Sequence, residues 1–226
     1  MSFTVTIGLQ KKDKKYLDKI FDFKGLDIKQ HFFTDFIYNE PYEYNDVVTF
    51  YNTTGRNDFT YFLYDEIIGQ LTEKQEETGK TISIECLEPF AKFGKLLLEH
   101  DPSENGIIQT LIDSYAIFLV TGDIELQKRA AGTTTTTDET TEFSDNSYQS
   151  TLNVLSDYNK RTEFAKQISY LLLDIFGIDW ARSVYDILTS GEESQYFGFI
   201  DFCVTMSVVY ESCKKLGIKE LVWNAG

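Results

Sequence analysis

Basic side chains are in short supply in this chain. Its 21 Lys and Arg stand against 36 Asp and Glu, a formal net charge of -15. A nucleic-acid binder needs a Lys/Arg surplus to neutralise phosphates, so no nucleic-acid partner is expected. The same deficit argues against docking on an anionic membrane. The shortage is spread along the chain: residues 1–132 carry 14 basic and 22 acidic groups, and residues 133–226 carry 7 and 14.

Cysteine is equally sparse. Cys86, Cys203 and Cys213 are odd in number and form no CxxC, so they are expected to be reduced, buried thiols in an intracellular protein. Long apolar runs are missing too. Tyr170 to Ile175 and Ala116 to Val120 are the strongest and suit a helix core rather than a membrane span. Met1 to Ile7 has no basic start and no long apolar stretch, which speaks against a secretory signal. The expected location is therefore cytoplasmic, or the virion if the source is viral.

Chemistry-bearing motifs are few. Only His31 and His100 could act as neutral-pH bases, and no G-x-S-x-G occurs. Gly79-Lys80-Thr81 echoes a phosphate loop, but Lys74 stands where the first glycine belongs, and a strand is expected to follow rather than precede it. Asp101, Ser103, Asn105 and Gly106 match the first half of a calcium loop. Ile112 occupies the place of the bidentate carboxylate, so the expected role of Asp101 or Ser103 is a helix cap. Gly198 to Phe202 resembles the second half of such a loop, with Phe197 and Val204 at ligand positions. The acidic pairs Asp65-Glu66, Glu76-Glu77 and Glu192-Glu193 are expected to face solvent. No catalytic residue, metal site or cofactor is indicated.

What is present is aromatic and β-branched. Phe3, Val5, Ile7 and Leu9 alternate with small or polar residues and predict a half-buried strand. Val47–Tyr51 and Thr81–Cys86 read as further strands, the latter with Ile82, Ile84 and Cys86 on one face. Helices are predicted over Asp13 to Phe23, around Ile28 to Ile37, over Phe59 to Leu71 (where Phe59, Tyr61 and Leu63 also alternate like a strand), over Glu88 to Glu99 and over Ile107 to Val120. Further helical stripes run through Phe164 to Ile175, Trp180 to Leu188 and Phe197 to Leu216, with Gly177 as a stop and Asp179 as a cap. Leu221, Val222 and Trp223 form a short apolar tail expected to dock on the body.

Thr133 to Thr137 is a five-threonine run followed by Asp138, Glu139, Glu142 and Asp145, which predicts a flexible acidic loop over 128–150. Residues 1–127 then form an α+β part and 151–226 a helical part, packed together as one domain. The expected fold class is helix-dominated α+β, with a small sheet near the N-terminus and a largely helical C-terminal half.

The tyrosine-rich, acidic segment Tyr38 to Asp46 reads as a loop within an aromatic cluster from Phe32 to Tyr51. Those rings either plug the protein's own core or offer rigid contact area to a partner. Together these features point to a non-catalytic acidic protein for protein–protein interaction or assembly, whose partners are other subunits, self or hetero. Richness in Tyr, Phe, Ile and Lys with only 3 Pro suggests AT-rich coding and fits a viral or phage structural or assembly component. Two alternatives stand beside it: an acidic inhibitor or immunity protein covering a basic site on its partner, and an enzyme with an unrecognised carboxylate site.

Overall fold

The computed structural model describes residues 3–20, 42–44, 47–55, 60, 63–69, 81–113, 157–189 and 193–225. The chain divides into two compact units. One comprises Met1–Glu99 with Gly198–Gly226, and the other His100–Phe197. The class is helix-dominated α+β, with one small antiparallel sheet and long helices in the C-terminal half.

The first unit is built on β1 (Phe3–Gln10). Its alternation places Val5, Ile7 and Leu9 fully out of water. Thr6 and Gly8 are buried as well, so β1 is covered on both faces rather than half-buried. β1 is also paired along both edges, because it lies in the middle of the sheet. The strands are β1, β2 (Tyr42–Tyr44), β3 (Val47–Gly55), β4 (Thr81–Ser83) and β5 (Glu220–Ala225), in the order β2-β3-β1-β5-β4. All four pairings are antiparallel.

A bulge between Ile7 and Gly8 shifts the β1–β3 register, so Ile7 pairs with Tyr51 and Gly8 with Thr49. Val48 and Tyr51 thereby share the face of Leu9 and Ile7. The expected apolar tail is a strand: Leu221 is fully buried in β5, and Thr6 Oγ1 donates to the Asn224 carbonyl at 3.3 Å. Tyr42 to Tyr44, expected in a loop, forms edge strand β2 against Val47–Thr49. The third expected strand stops at Ser83. Ile84–Leu87 winds into a 3-10 turn, which takes Cys86 off the sheet.

After β1 the chain forms a 3-10 segment, Lys11–Tyr16, and a single helical turn, α1 (Leu17–Ile20). Leu63–Ile68 is a π-helical turn, and Tyr64 meets Trp223 of β5 edge-on, with ring centroids 6.0 Å apart. α2 (Glu88–Glu99) follows the expected stripe and buries Phe90, Phe93, Leu97 and Leu98. Residues 107–113 form α3 in the second unit.

The second unit carries α4 (Tyr158–Thr189), which is interrupted at Gly177. With φ 71 and ψ 177, Gly177 holds a conformation essentially closed to residues with a side chain, and so it stops the first half as its spacing predicts. Asp157 caps the start: its Oδ1 accepts from the amides of Asn159 and Lys160 at 2.9 and 3.1 Å.

α5 (Glu193–Leu216) runs into the first unit from Gly198 onward. Residues 199–210 are buried except Asp201, which is half-buried. Phe202 stacks edge-on with Tyr51 of β3 and Phe90 of α2, at 5.4 and 5.5 Å. α5 ends in a Schellman turn. Gly217 takes φ 72, its amide donates to the Lys214 carbonyl at 3.3 Å, and the Ile218 amide donates to that of Cys213 at 2.9 Å. The chain then enters β5 directly.

The predicted helix around Ile28 to Ile37, the expected boundaries at 128 and 150, and the Thr133–Thr137 run lie outside the described residues.

Candidate interaction surface

The expected chemistry-bearing residues are put to structural use. Asp101 Oδ1 accepts from the Ser103 amide at 3.0 Å and from its hydroxyl at 2.7 Å. The Glu104 amide closes the same turn on the Asp101 carbonyl at 2.9 Å. The carboxylate therefore organises a tight turn before α3, and its helix-capping role is corrected to a turn-forming one. Ile112 is a buried residue of α3. Gly198 to Phe202 is not a loop but continuous helix in α5, so it presents no calcium-loop backbone. No cluster of three metal-ligating side chains occurs among the described residues. Thr81 opens β4, so a strand does follow the Gly79-Lys80-Thr81 turn. Asp65 is exposed, and His100 is half-buried just beyond α2. His31, Gly79, Lys80, Glu76, Glu77 and Glu192 lie outside the described residues.

The thiols on α5 are held away from reactivity. Burial pushes the Cys203 thiol well above its ordinary range, and the charge of Asp201 adds to this. Burial and then Asp13 push Cys213 up to about 12. Nucleophilic cysteines need the opposite shift, towards the thiolate. Asp201 itself is pushed up by burial from 3.8 to about 7. It is the one carboxylate within the buried run 199–210.

Of the aromatic cluster, Phe50 and Tyr51 are 1% exposed and belong to the core. Phe32, Phe33, Phe36 and Tyr38 lie outside the described residues.

Exposed apolar area gathers instead on α4. Its inward stripe is Ile168, Leu172 and Phe176, then Ala181, Val184 and Ile187, all buried. The opposite face holds Glu163, Lys166, Gln167, Tyr170, Leu173 and Asp174, all exposed. In the centre of that face Tyr170 is 63% and Leu173 44% exposed, and Ile178, just past the break, is 80% exposed. Tyr170 and Leu173 are three apart and so adjacent on the helix surface. The polar groups beside them bond locally: Gln167 Nε2 donates to Glu163 Oε1 at 3.3 Å, and Lys166 lies 4.0 Å from Glu163. An apolar centre with a polar margin is the anatomy of a contact surface. The helical periodicity that marks the inward stripe marks this face too, but the sequence reading followed only the stripe.

Compared with known proteins, the chain matches no family model, no curated sequence and no solved structure. No helix among the described residues is long and apolar enough to cross a membrane.

Proposed function

We propose that this protein is a non-catalytic component for protein–protein interaction and assembly, and that its second unit meets a partner subunit through the outer face of α4. The observation that carries the reading is the exposure of Tyr170 and Leu173 side by side before the break in α4, with Ile178 exposed just past it. A single exposed apolar residue is ordinary, but a run of large ones on one element is an interaction signal. The upward shift of the Cys203 and Cys213 thiols supports the non-catalytic side of the reading at those two positions, since it disfavours the nucleophilic thiolate. Tyr- and Phe-rich, Pro-poor composition favours a viral or phage assembly component within this class.

The test is the mass of the native complex. Wild-type protein isolated from its own source should run well above its 26.1 kDa chain mass. The double variant Tyr170→Ser, Leu173→Ser should run at a clearly lower mass than wild type while keeping its circular dichroism spectrum. A free 26.1 kDa chain in the wild type would sink the reading.

A further inference from the structure

We propose that the lysine-rich end of the first unit docks on the acidic surface of a second copy of this chain. This rests on the reading of the protein as an assembly component, but uses a different surface from α4.

The fold collects these lysines from both ends of the sequence. Lys11, Lys12, Lys14, Lys15 and Lys19 follow β1 directly. Lys214, Lys215 and Lys219 lie at the end of α5 and just before β5. β1 and β5 are antiparallel, with Gly8 opposite Val222. Continuing that register brings Lys11 level with Lys219, so the exit of β1 and the entry of β5 mark the same end of the sheet. Two contacts fasten the remaining pieces there. Ser212 Oγ donates to the Ile20 carbonyl at 2.8 Å. Asp13 is near enough to Cys213 to raise its pKa.

All eight of these lysines are exposed. Lys15 stands 4.9 Å from the centre of the Tyr16 ring and Lys214 5.0 Å from that of Tyr210, so their ammonium groups are held at the surface. Residues 11–20 and 211–220 contain eight lysines against four acids (Asp13, Asp18, Glu211 and Glu220), a net +4. The rest of the chain, including Glu88 of α2 whose charge acts on Lys214, then carries -19. A molecule so divided is electrostatically complementary to itself.

The choice of a second copy over a nucleic acid follows from the chemistry of the patch. It contains no arginine, the residue suited to bidentate phosphate recognition. A long polyanion would also have to run past the acidic remainder. A second copy brings carboxylates to the patch, and lysines act as point charges that steer such an encounter. Lys214 and Lys215 also suit the negative end of the α5 dipole. That role does not extend to Lys11, Lys12 or Lys219, which lie outside α5.

The experiment is sedimentation velocity of the purified full chain as a function of salt. Self-association should appear at about 50 mM salt and weaken about tenfold or more by about 300 mM, as screening shortens the reach of the charges. The variant Lys12→Glu, Lys19→Glu, Lys215→Glu, Lys219→Glu should be a monomer at both concentrations. The matching Lys→Gln set, which is gentler on folding, should weaken association by an intermediate factor. Charge reversal elsewhere, at Lys160 and Lys166 of α4, should leave it nearly unchanged. A wild type that is monomeric at low salt overturns the proposal, even if the native complex of the assembly reading is found. Association that survives the four reversals overturns it too. So does binding of a short labelled DNA or of anionic lipid vesicles that the same reversals abolish, without self-association.

Discussion

The two long helices make the most instructive comparison in the molecule. α5 is buried on every side from Phe199 to Tyr210 except at Asp201. α4 buries one stripe and leaves Tyr170, Leu173 and Ile178 in water. Both are rich in large apolar residues, so apolar content alone does not tell a core helix from an interaction helix. The surroundings do. α5 is enclosed in its unit by the sheet and by α2, with Phe202 touching rings from both. A helix apolar all round belongs inside, whereas α4 buries one stripe and leaves two large apolar side chains uncovered on an otherwise polar face.

The tightest point of α5 gives the largest effect. Gly94 of α2 crosses α5 so closely that a Cβ there would overlap the Cys203 carbonyl and come within 2.8 Å of the Val204 nitrogen. The obstacle is backbone, which cannot swing aside as a side chain can. Gly94→Val should therefore cost about 3 kcal/mol or more, or prevent folding of the first unit, as seen in urea unfolding. A variant of wild-type stability would mean that the two helices do not cross as described.

Asp201 gives the next effect, and it depends on pH. Its folded-state pKa, about 7, lies above the ordinary 3.8, so the native chain holds a proton the unfolded chain has released across that interval. Stability is then lost as pH rises from about 4 to about 7 and is level above. Asp201→Asn removes the charge and should stabilise the protein at about pH 8, on the order of 2–3 kcal/mol, with little gain near pH 4. The measurement is urea unfolding of both proteins across that range. Parallel curves would show that the carboxylate is well solvated in the native state. On α4 the corresponding special residue is Gly177. Gly177→Ala forces a Cβ into a φ of 71 and should cost about 1–2 kcal/mol, detected as a lower melting temperature.

The same comparison shows what sequence reasoning could reach. β1 and α2 were legible because each carries its own periodicity, two for the strand and 3.6 for the helix, and β3 because Val47 to Tyr51 is rich in β-branched and aromatic residues. β5 was not, because Leu221, Val222 and Trp223 are too few to show a period. They become a strand only by pairing with residues far away in sequence, Ile82 opposite Leu221 and Gly8 opposite Val222. β2 was hidden for a similar reason, being three residues long with Glu43 in the middle. The lysine-rich end was missed through arithmetic over the wrong unit. Summing charge over halves of the chain dilutes the Lys11-to-Lys15 run with distant acids, while the fold adds Lys215 and Lys219 from the other half. The local run was visible, but its enlargement by the C-terminus was not.

The smallest expected effect separates the two helices most cleanly. Tyr170→Ser with Leu173→Ser removes large apolar groups, a change that in α5 would cost several kcal/mol because the groups there are buried. On α4 Tyr170 is 63% and Leu173 44% exposed, so only the covered part of each loses transfer free energy and no enclosed cavity forms. Serine is a slightly poorer helix former, which adds a few tenths of a kcal/mol. Thermal unfolding of the isolated chain should therefore shift by about 1 kcal/mol for the pair. A Phe202→Ala control in α5 should lose about 3–5 kcal/mol under the same conditions. A large loss from the α4 pair would mean that Tyr170 and Leu173 stabilise this chain's own fold, and the outer face of α4 would then be a covered surface and not a partner's.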